Sequence, residues 1–385
     1  MRIAMLGQKG IPAIYGGIER HVEELSVELA KKGHNVLVYA RQWYTPVDIK
    51  NYKGVKVVHT PSIHTKHLDT ITHTFCSVIH ALRQKPDVIH FHGVGPSLLS
   101  WIPRLLAPRV RVIANVHSLD RYHQKWGWFA KLMLKLGERA AYTFPHQTIV
   151  VSKTMQNYFL NEYQTMTSYV PNGVAISEIA GQSALIEDKW NLTPKKYLLM
   201  VSRLVRHKGA HYLLEAWQMA RQQNPHLLGD WKLVIVGGTA YTDDYADELK
   251  HAARGDNSVV FTGSQHGQTL AELFANAGLF VHPSENEGLP IAVLQAMSFG
   301  KPALVSDISE HKELILDSNF WFANGNIISL ARKIIALVSD GYGLAKAGAV
   351  NRAMAQNFNW NDIADKTVKL YGSKENAAEY ETASA

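Results

Sequence analysis

Short apolar runs alternate along the chain with longer segments whose apolar residues recur every three or four positions. A run of four to eight Val, Ile and Leu residues suits a strand buried on both faces, and the longer period suits a helix with one covered face. In the first half this predicts strands at 2–6, 35–40, 87–91, 110–116 and 147–151, with helices at 18–32, 68–84, 96–106 and 127–142. Turn residues in Val170-Pro171-Asn172-Gly173-Val174, and a polar stretch up to Pro194, then interrupt the pattern. It resumes with strands at 197–201, 232–236, 259–261, 279–282 and 303–305, and helices at 209–223, 244–253, 267–276 and 289–299. Such alternation implies α/β architecture with parallel sheets covered on both faces. A length of 385 residues suits two such domains, 1–172 and 173–358, with a cleft between their strand ends. A closing helix within 359–372 is expected to return to the first domain, followed by a frayed tail at 373–385.

Composition narrows this picture. No stretch offers the ~18 uncharged apolar residues of a membrane-spanning helix. The opening Met1-Arg2-Ile3-Ala4-Met5-Leu6-Gly7 has the pattern of a strand rather than a signal peptide. Cys76 is the single cysteine, which excludes an internal disulfide and a thiolate metal cluster and suits a reducing cytoplasm. Charge is uneven: residues 1–175 hold 21 Lys and Arg against 10 Asp and Glu (+11), which leaves 19 against 23 (−4) for residues 176–385. The basic half is expected to meet something anionic, the alternative being a merely solvated surface. Its cations are scattered and no nucleic-acid motif accompanies them, so an anionic membrane or a phosphate-bearing acceptor is expected and nucleic acid is not. Trp126, Trp128 and Phe129 beside Lys125, Lys131 and Lys135 are the candidates for touching lipid, unless they are the buried and solvated faces of one helix.

Three stretches carry candidate chemistry. The first, Gly7 to Gly17, follows the first strand and opens the first helix, where glycines let backbone amides approach an anion. It lacks the G-x-G-x-x-G spacing, and the second strand ends Tyr39-Ala40-Arg41 without an acid, which disfavours a dinucleotide enzyme. The second, Ser202-Arg203-Leu204-Val205-Arg206-His207-Lys208-Gly209, joins a strand to a helix, and Arg203 with Lys208 can grip one diphosphate from two sides. In the third, Glu285 to Gln295, Glu287 is expected to precede a helix whose early residues include Gly288 and Pro290. Gln295 would lie about two helical turns further on, and an N-capping role is the alternative for Glu287. No Asp-x-Asp or His-Glu-x-x-His occurs. His64 with His67, or His90 with His92, lack acidic or cysteine partners, so no metal site and no cofactor are expected.

These stretches, in this order, resemble family 4 of the retaining glycosyltransferases, which have the GT-B fold of two facing Rossmann-like domains. The resemblance runs from Met1 to about Tyr371. It is carried by the Gly-Gly opening, the Arg203…Lys208 pair, Pro-Asn-Gly-Val and Glu-Gly-Leu-Pro. The opening Gly-Ile-Pro-Ala-x-Tyr-Gly-Gly-x-Glu is most similar to bacterial polysaccharide enzymes, rhamnosyltransferase-like members among them. The resemblance implies metal-independent transfer, with retention, from a UDP- or dTDP-linked sugar to a saccharide or lipid-linked acceptor. Such an enzyme would be cytoplasmic or peripheral at the inner face of the membrane. Arg203 and Lys208 would bind the diphosphate, Glu287 the donor sugar's hydroxyls, and His117 the transferred sugar. Gly16 and Gly17 would lie near the diphosphate or the acceptor, the amides of Gly288 and Leu289 would face sugar or phosphate, and Gly237 and Gly238 would admit the nucleoside. One departure stands out: Gln295 occupies the place of a glutamate that binds ribose hydroxyls, which leaves room for a deoxyribose donor. A sugar-nucleotide 2-epimerase and a non-catalytic nucleotide-sugar-binding subunit are the alternatives.

Overall fold

The computed structural model describes residues 1–65, 68–119, 127–176, 183–239 and 242–372. The chain divides into two compact units: Met1–Gly173 with the chain from Trp360 onward, and Val174–Asn359. The expected tail, Lys125, Trp126 and His67 lie outside the described residues.

The first unit is built on eight strands: β1 (Arg2–Leu6), β2 (Asn35–Arg41), β3 (Asn51–Tyr52), β4 (Val55–Thr60), β5 (Val88–His92), β6 (Arg111–Val116), β7 (Gln147–Val150) and β8 (Ser168–Tyr169). They form one sheet in the order β3-β4-β2-β1-β5-β6-β7-β8, parallel except where β3 meets β4. Side chains alternate across the sheet, so Ile3 and Met5 face one helical layer while Ala4 and Leu6 face the other. The first layer contains α1 (Gly17–Lys31) and the closing helix, Trp360–Gly372, with Val22, Leu25, Leu29, Ile363 and Leu370 against the strands. The second contains α2 (Asp69–Arg83), α3 (Val94–Ser97) and α4 (Trp101–Leu106), which bury Val78, Ala81 and Ile102. Each such Val, Leu or Ile side chain contributes about 1.5–3 kcal/mol relative to exposure. Helices α5 (Trp128–Thr143) and α6 (Lys153–Tyr163) complete the unit.

The second unit follows the same logic. After α7 (Ala184–Trp190), strands β9 (Tyr197–Val201), β10 (Lys232–Val236), β11 (Val259–Gly263), β12 (Leu279–His282), β13 (Ala303–Ser306) and β14 (Trp321–Phe322) pair in the order β11-β10-β9-β12-β13-β14. All are parallel. The helices between and after them are α8 (Ala210–Gln223), α9 (Pro225–Leu228), α10 (Asp243–Ala252), α11 (Gly267–Asn276), α12 (Ile291–Ser298), α13 (Ser309–Lys312), α14 (Ile327–Ser339) and α15 (Gly341–Ala355). In both sheets the strand order reverses at the first strand. β1 lies between β2 and β5, and β9 between β10 and β12. Doubly wound sheets hold their ligands outside the carboxyl ends of strands at such a reversal.

Three boundaries differ from the sequence pattern. The single helix expected at 96–106 is two, because Pro103 cannot donate to the turn before it and sits instead in the first turn of a new helix. Lys208 lies in a 3-10 turn (Arg206–Lys208) rather than in the first turn of α8. Glu287 lies in a loop three residues ahead of Pro290, the residue that caps α12, so it is not an N-cap.

Candidate active site

In the second unit the candidate residues gather on loops at the carboxyl ends of β9, β10 and β12. The β9 loop turns at Gly209, with φ 73°, and a Cβ there would stand 2.1 Å from the Pro283 carbonyl oxygen. Only glycine allows that approach, which seats the 206–209 turn against the loop after β12. Two hydrogen bonds to the His207 carbonyl fix the contact, from the Glu285 amide at 2.8 Å and the Ser284 hydroxyl at 3.1 Å. Gly237 is held in the same way: at φ 151° a Cβ would lie 1.8 Å from the Ser202 carbonyl oxygen. Gly238 accepts a hydrogen bond from the Leu204 amide at 2.9 Å, so the ends of β9 and β10 close on each other.

This seating brings Lys208 to Glu287. The ammonium donates to Oε1 at 2.5 Å, and His282 Nε2, at the end of β12, donates to the same oxygen at 2.8 Å. The pair is largely enclosed, with side-chain exposures of 15% and 8%. Burial alone would raise the Glu287 carboxyl, but the Lys208 charge and the His282 hydrogen bond outweigh it and hold the group well below the usual carboxylate range. Glu287 is therefore an anion whose Oε2 has no hydrogen-bond partner among the described residues. Beneath it, His311 donates from Nδ1 to the Ser306 carbonyl at 2.9 Å, and burial lowers this imidazole to about 3. Arg203 is half-buried, and its guanidinium makes no ion pair or hydrogen bond with the described residues. Gly288 and Leu289 are buried in the loop between Glu287 and α12, while Gln295 is half-buried on α12, its side chain making no hydrogen bond with the described residues.

In the first unit His117 follows β6 and is buried with His92, at the end of β5, and His21 of α1. His92 Nδ1 lies 3.1 Å from His117 Nε2, and His92 Nε2 lies 3.4 Å from Met5 Sδ. A thioether only accepts, so His92 carries its proton on Nε2 and accepts at Nδ1. His117 thus donates from Nε2, and its Nδ1 is left with a lone pair that takes no hydrogen bond from the described residues. Burial first, then neighbouring imidazoles, lower both groups well below the usual histidine range, so both are neutral. His21 is fixed by Asn172 at 2.9 Å and Asn115 at 3.3 Å, and His90 by Tyr371 of the closing helix at 2.8 Å. Gly16 and Gly17 open α1, but a Cβ on Gly16 would meet Glu19 Oε2 at 1.9 Å. A carboxylate therefore already stands at that helix N-terminus.

The structure thus joins Arg203, Lys208, Glu287, Gly237 and Gly238 in the loop cluster of the second unit, and sets His117, Gly16 and Gly17 at strand and helix ends of the first. Sequence reasoning missed His282, whose signal was a histidine ending an apolar strand just before the Glu287 loop. It also missed the partnership of His92 with His117. Two trios have ligand atoms within 4.8 Å of one another, His21/His92/His117 and His282/Glu287/His311. Lys208 supplies the positive charge beside Glu287, and His92 and His117 bond each other.

Two doubly wound α/β units, each with a largely parallel sheet whose strand order reverses at its first strand, define the class: a GT-B fold. The glycosyl transferases group 1 model matches residues 182–374 and the Glycosyltransferase Family 4 model residues 15–178. The chain belongs to the group 1 glycosyltransferases and is a glycosyltransferase. It is 25% identical to an uncharacterized glycosyltransferase of Methanocaldococcus jannaschii over 96% of this chain and 98% of that one. Among solved structures it is similar to sucrose-phosphate synthase from Thermosynechococcus elongatus, with a TM-score of 0.82 at 20% identity, over 96% and 98% of the two chains. It is also similar to the Anabaena protein HepE in complex with UDP-glucose, with a TM-score of 0.77 at 20% identity, over 96% and 99%.

Proposed function

We propose that this enzyme moves a sugar, with retention and without a metal ion, from a nucleoside-diphosphate sugar to a saccharide or lipid-linked saccharide in surface polysaccharide synthesis. The observation that carries the reading is the pairing at the reversal of the second sheet. There an anionic Glu287 keeps one oxygen open, and Arg203 and Lys208 offer positive charge on the adjoining loop. Arg203 and Lys208 take the diphosphate and neutralise charge building on the leaving group, work that a divalent ion does elsewhere. Glu287 Oε2 accepts hydrogen bonds from donor-sugar hydroxyls, and His117 Nδ1 accepts one from the transferred sugar. The bond from the anomeric carbon to phosphate oxygen breaks while a bond to the acceptor oxygen forms on the same face. The acceptor's proton passes to the departing phosphate.

Gly237 and Gly238 let the nucleoside lie against the backbone, and the Gly288 and Leu289 amides face sugar or phosphate. The Glu19 carboxylate beside Gly16 favours an acceptor hydroxyl at Gly16 and Gly17 over a phosphate. The UDP-glucose bound by HepE supports a UDP-linked donor; Gln295, which lacks a carboxylate for ribose, keeps a dTDP-linked donor in play. Calorimetric titration with UDP, dTDP and GDP, repeated on Arg203→Ala and Lys208→Ala, tests the site. One nucleotide should bind tightly and lose affinity in both variants. Binding unchanged by either substitution would remove the diphosphate assignment.

A further inference from the structure

Helix α5 turns a long stripe to solvent. Its exposed positions, read along the helix, include Trp128, Lys131, Leu132, Lys135, Leu136 and Arg139. Spacings of three and four keep them on one face, and that face alternates large apolar side chains with cations. Phe129, expected from the sequence to join it, has no described side chain. A solvated helix face ordinarily carries charges of both signs and few large apolar groups. Here Trp128 is 78% exposed, and three cations stand beside it and the two leucines.

The neighbouring helix repeats the composition. α4 lies beside the second half of α5: the Ser100 hydroxyl is 3.4 Å from the Ala140 carbonyl, and Arg104 is 2.6 Å from His146 just past α5. Leu105 and Leu106, at 70% and 67% exposed, end this short helix next to the exposed Arg104 and Arg109, and Trp101 is exposed at its start. Along α4, the described chain between the helices, and α5, the one acid is Glu138. It points inward to the hydroxyls of Tyr158 and Tyr163, at 3.1 and 2.9 Å.

From this surface we infer that α4 and α5 form a platform that docks the enzyme on an anionic lipid bilayer. The leucines and tryptophans enter the headgroup boundary, while the lysines and arginines meet the lipid phosphates. The cations have the sign and the long stems such a surface requires, since each can lay its methylenes along the apolar groups and keep its charge at the phosphates. Charge of a single sign also argues against a second copy of this chain as the occupant, because two such faces would repel. The inference stands apart from the donor site and holds whichever nucleotide sugar is used.

The test is co-sedimentation of the full chain with phosphatidylglycerol–phosphatidylcholine vesicles and with pure phosphatidylcholine vesicles. The protein should pellet with the anionic vesicles and stay in solution with the neutral ones. Lys131→Gln/Lys135→Gln/Arg139→Gln should cut the partition coefficient about a hundredfold, since each cation near an anionic surface is worth roughly a factor of five. Leu105→Ser/Leu132→Ser should also weaken it, while Lys250→Gln/Arg254→Gln/Lys346→Gln, on the second unit, should leave it within about twofold. Circular dichroism and nucleotide titration of each variant separate lost docking from lost folding. A wild-type chain that ignores the anionic vesicles overturns the proposal. So does binding that falls equally in the second-unit variant, or leucine substitutions that convert a dimer to a monomer in sedimentation velocity.

Discussion

Replacing Glu287 by Gln separates the two tasks proposed for the site. In the free enzyme Oε1 of Glu287 holds both the Lys208 ammonium, at 2.5 Å, and the His282 Nε2 proton, at 2.8 Å. A diphosphate that recruits Lys208 must draw it from that carboxylate. A hydrogen bond between charged groups is worth about 1.5–3 kcal/mol, against about 0.5–1.5 kcal/mol for one to a neutral acceptor. The amide oxygen of Gln keeps the weaker bond, so the substitution releases Lys208 by about 1–1.5 kcal/mol. The nucleoside diphosphate should then bind roughly tenfold more tightly. Gln also exchanges one carboxylate oxygen for an NH2 group, which cannot accept a sugar hydroxyl's proton. Transfer should fall by ~2–4 kcal/mol, some 30- to 1000-fold. Titration calorimetry with the bound nucleotide and initial rates of donor turnover read the two effects separately. Affinity rising while turnover falls is the expected signature. Affinity that falls in step with Lys208→Ala would refute the reasoning, because Glu287 would then be helping Lys208 toward the phosphate rather than competing for it.

Arg203→Ala should lower turnover by ~2–4 kcal/mol of transition-state stabilisation. It should leave the melting temperature nearly unchanged, because the guanidinium has no protein partner among the described residues to lose. Gly209→Ala and Gly255→Ala both force a side chain into left-handed backbone, at φ 73° and 84°, which costs about 1–2 kcal/mol. Only Gly209 meets a neighbour there, so it alone should also lose nucleotide affinity as Lys208 shifts; equal effects in calorimetry would count against the seating of that turn. Burial lowers His21 to about 4 and His90 and His311 to about 3. The unfolded chain takes up those protons near pH 6.5, so this stability is complete above pH 6.5 and is lost as pH falls toward the folded values, by about 1.4 kcal/mol per histidine per pH unit. Melting temperatures should hold near neutrality and drop steeply from about pH 6 to pH 5, and a flat profile would show those imidazoles to be solvated. His92→Ala should lower turnover while sparing nucleotide affinity, measured by initial rates and calorimetry, since it frees the His117 ring and leaves Arg203, Lys208 and Glu287 in place.

Val- and Ile-rich strands such as β2, β6 and β10 were legible because continuous apolar runs of that length have few other uses. The hairpin of β3 and β4 was not, since β3 offers only Asn51-Tyr52 and its turn depends on Lys53 and Gly54 both taking positive φ. Three helices between 305 and 362, α13, α14 and α15, also went unassigned. Leu330, Ala331, Ile334 and Val338 of α14 do keep the helical period, but α15 is rich in Gly and Ala and buries its Gly348 against the Gly300 carbonyl, a contact with no periodic signature. In the site, charged residues on strand-end loops could be read locally, and Arg203, Lys208 and Glu287 were. What pairs with them could not. Lys208 and Glu287 lie 79 positions apart, His92 and His117 25, and His90 and Tyr371 281. Those meetings are decided by which strands the sheets place side by side. Gly209 shows the limit well: its place at a loop end was legible, while its close approach to Pro283 depends on β9 and β12 being neighbours.

The central claim is that Arg203 and Lys208 do a metal's work while the sugar is transferred with retention. Its most direct test follows the donor and product by proton NMR, with the purified enzyme, the nucleotide sugar that binds, a lipid-linked saccharide acceptor and excess EDTA. The account predicts transfer at an undiminished rate, with the anomeric coupling of the product matching that of the donor. Transfer abolished by EDTA and restored by magnesium, or a product of inverted configuration, would contradict it.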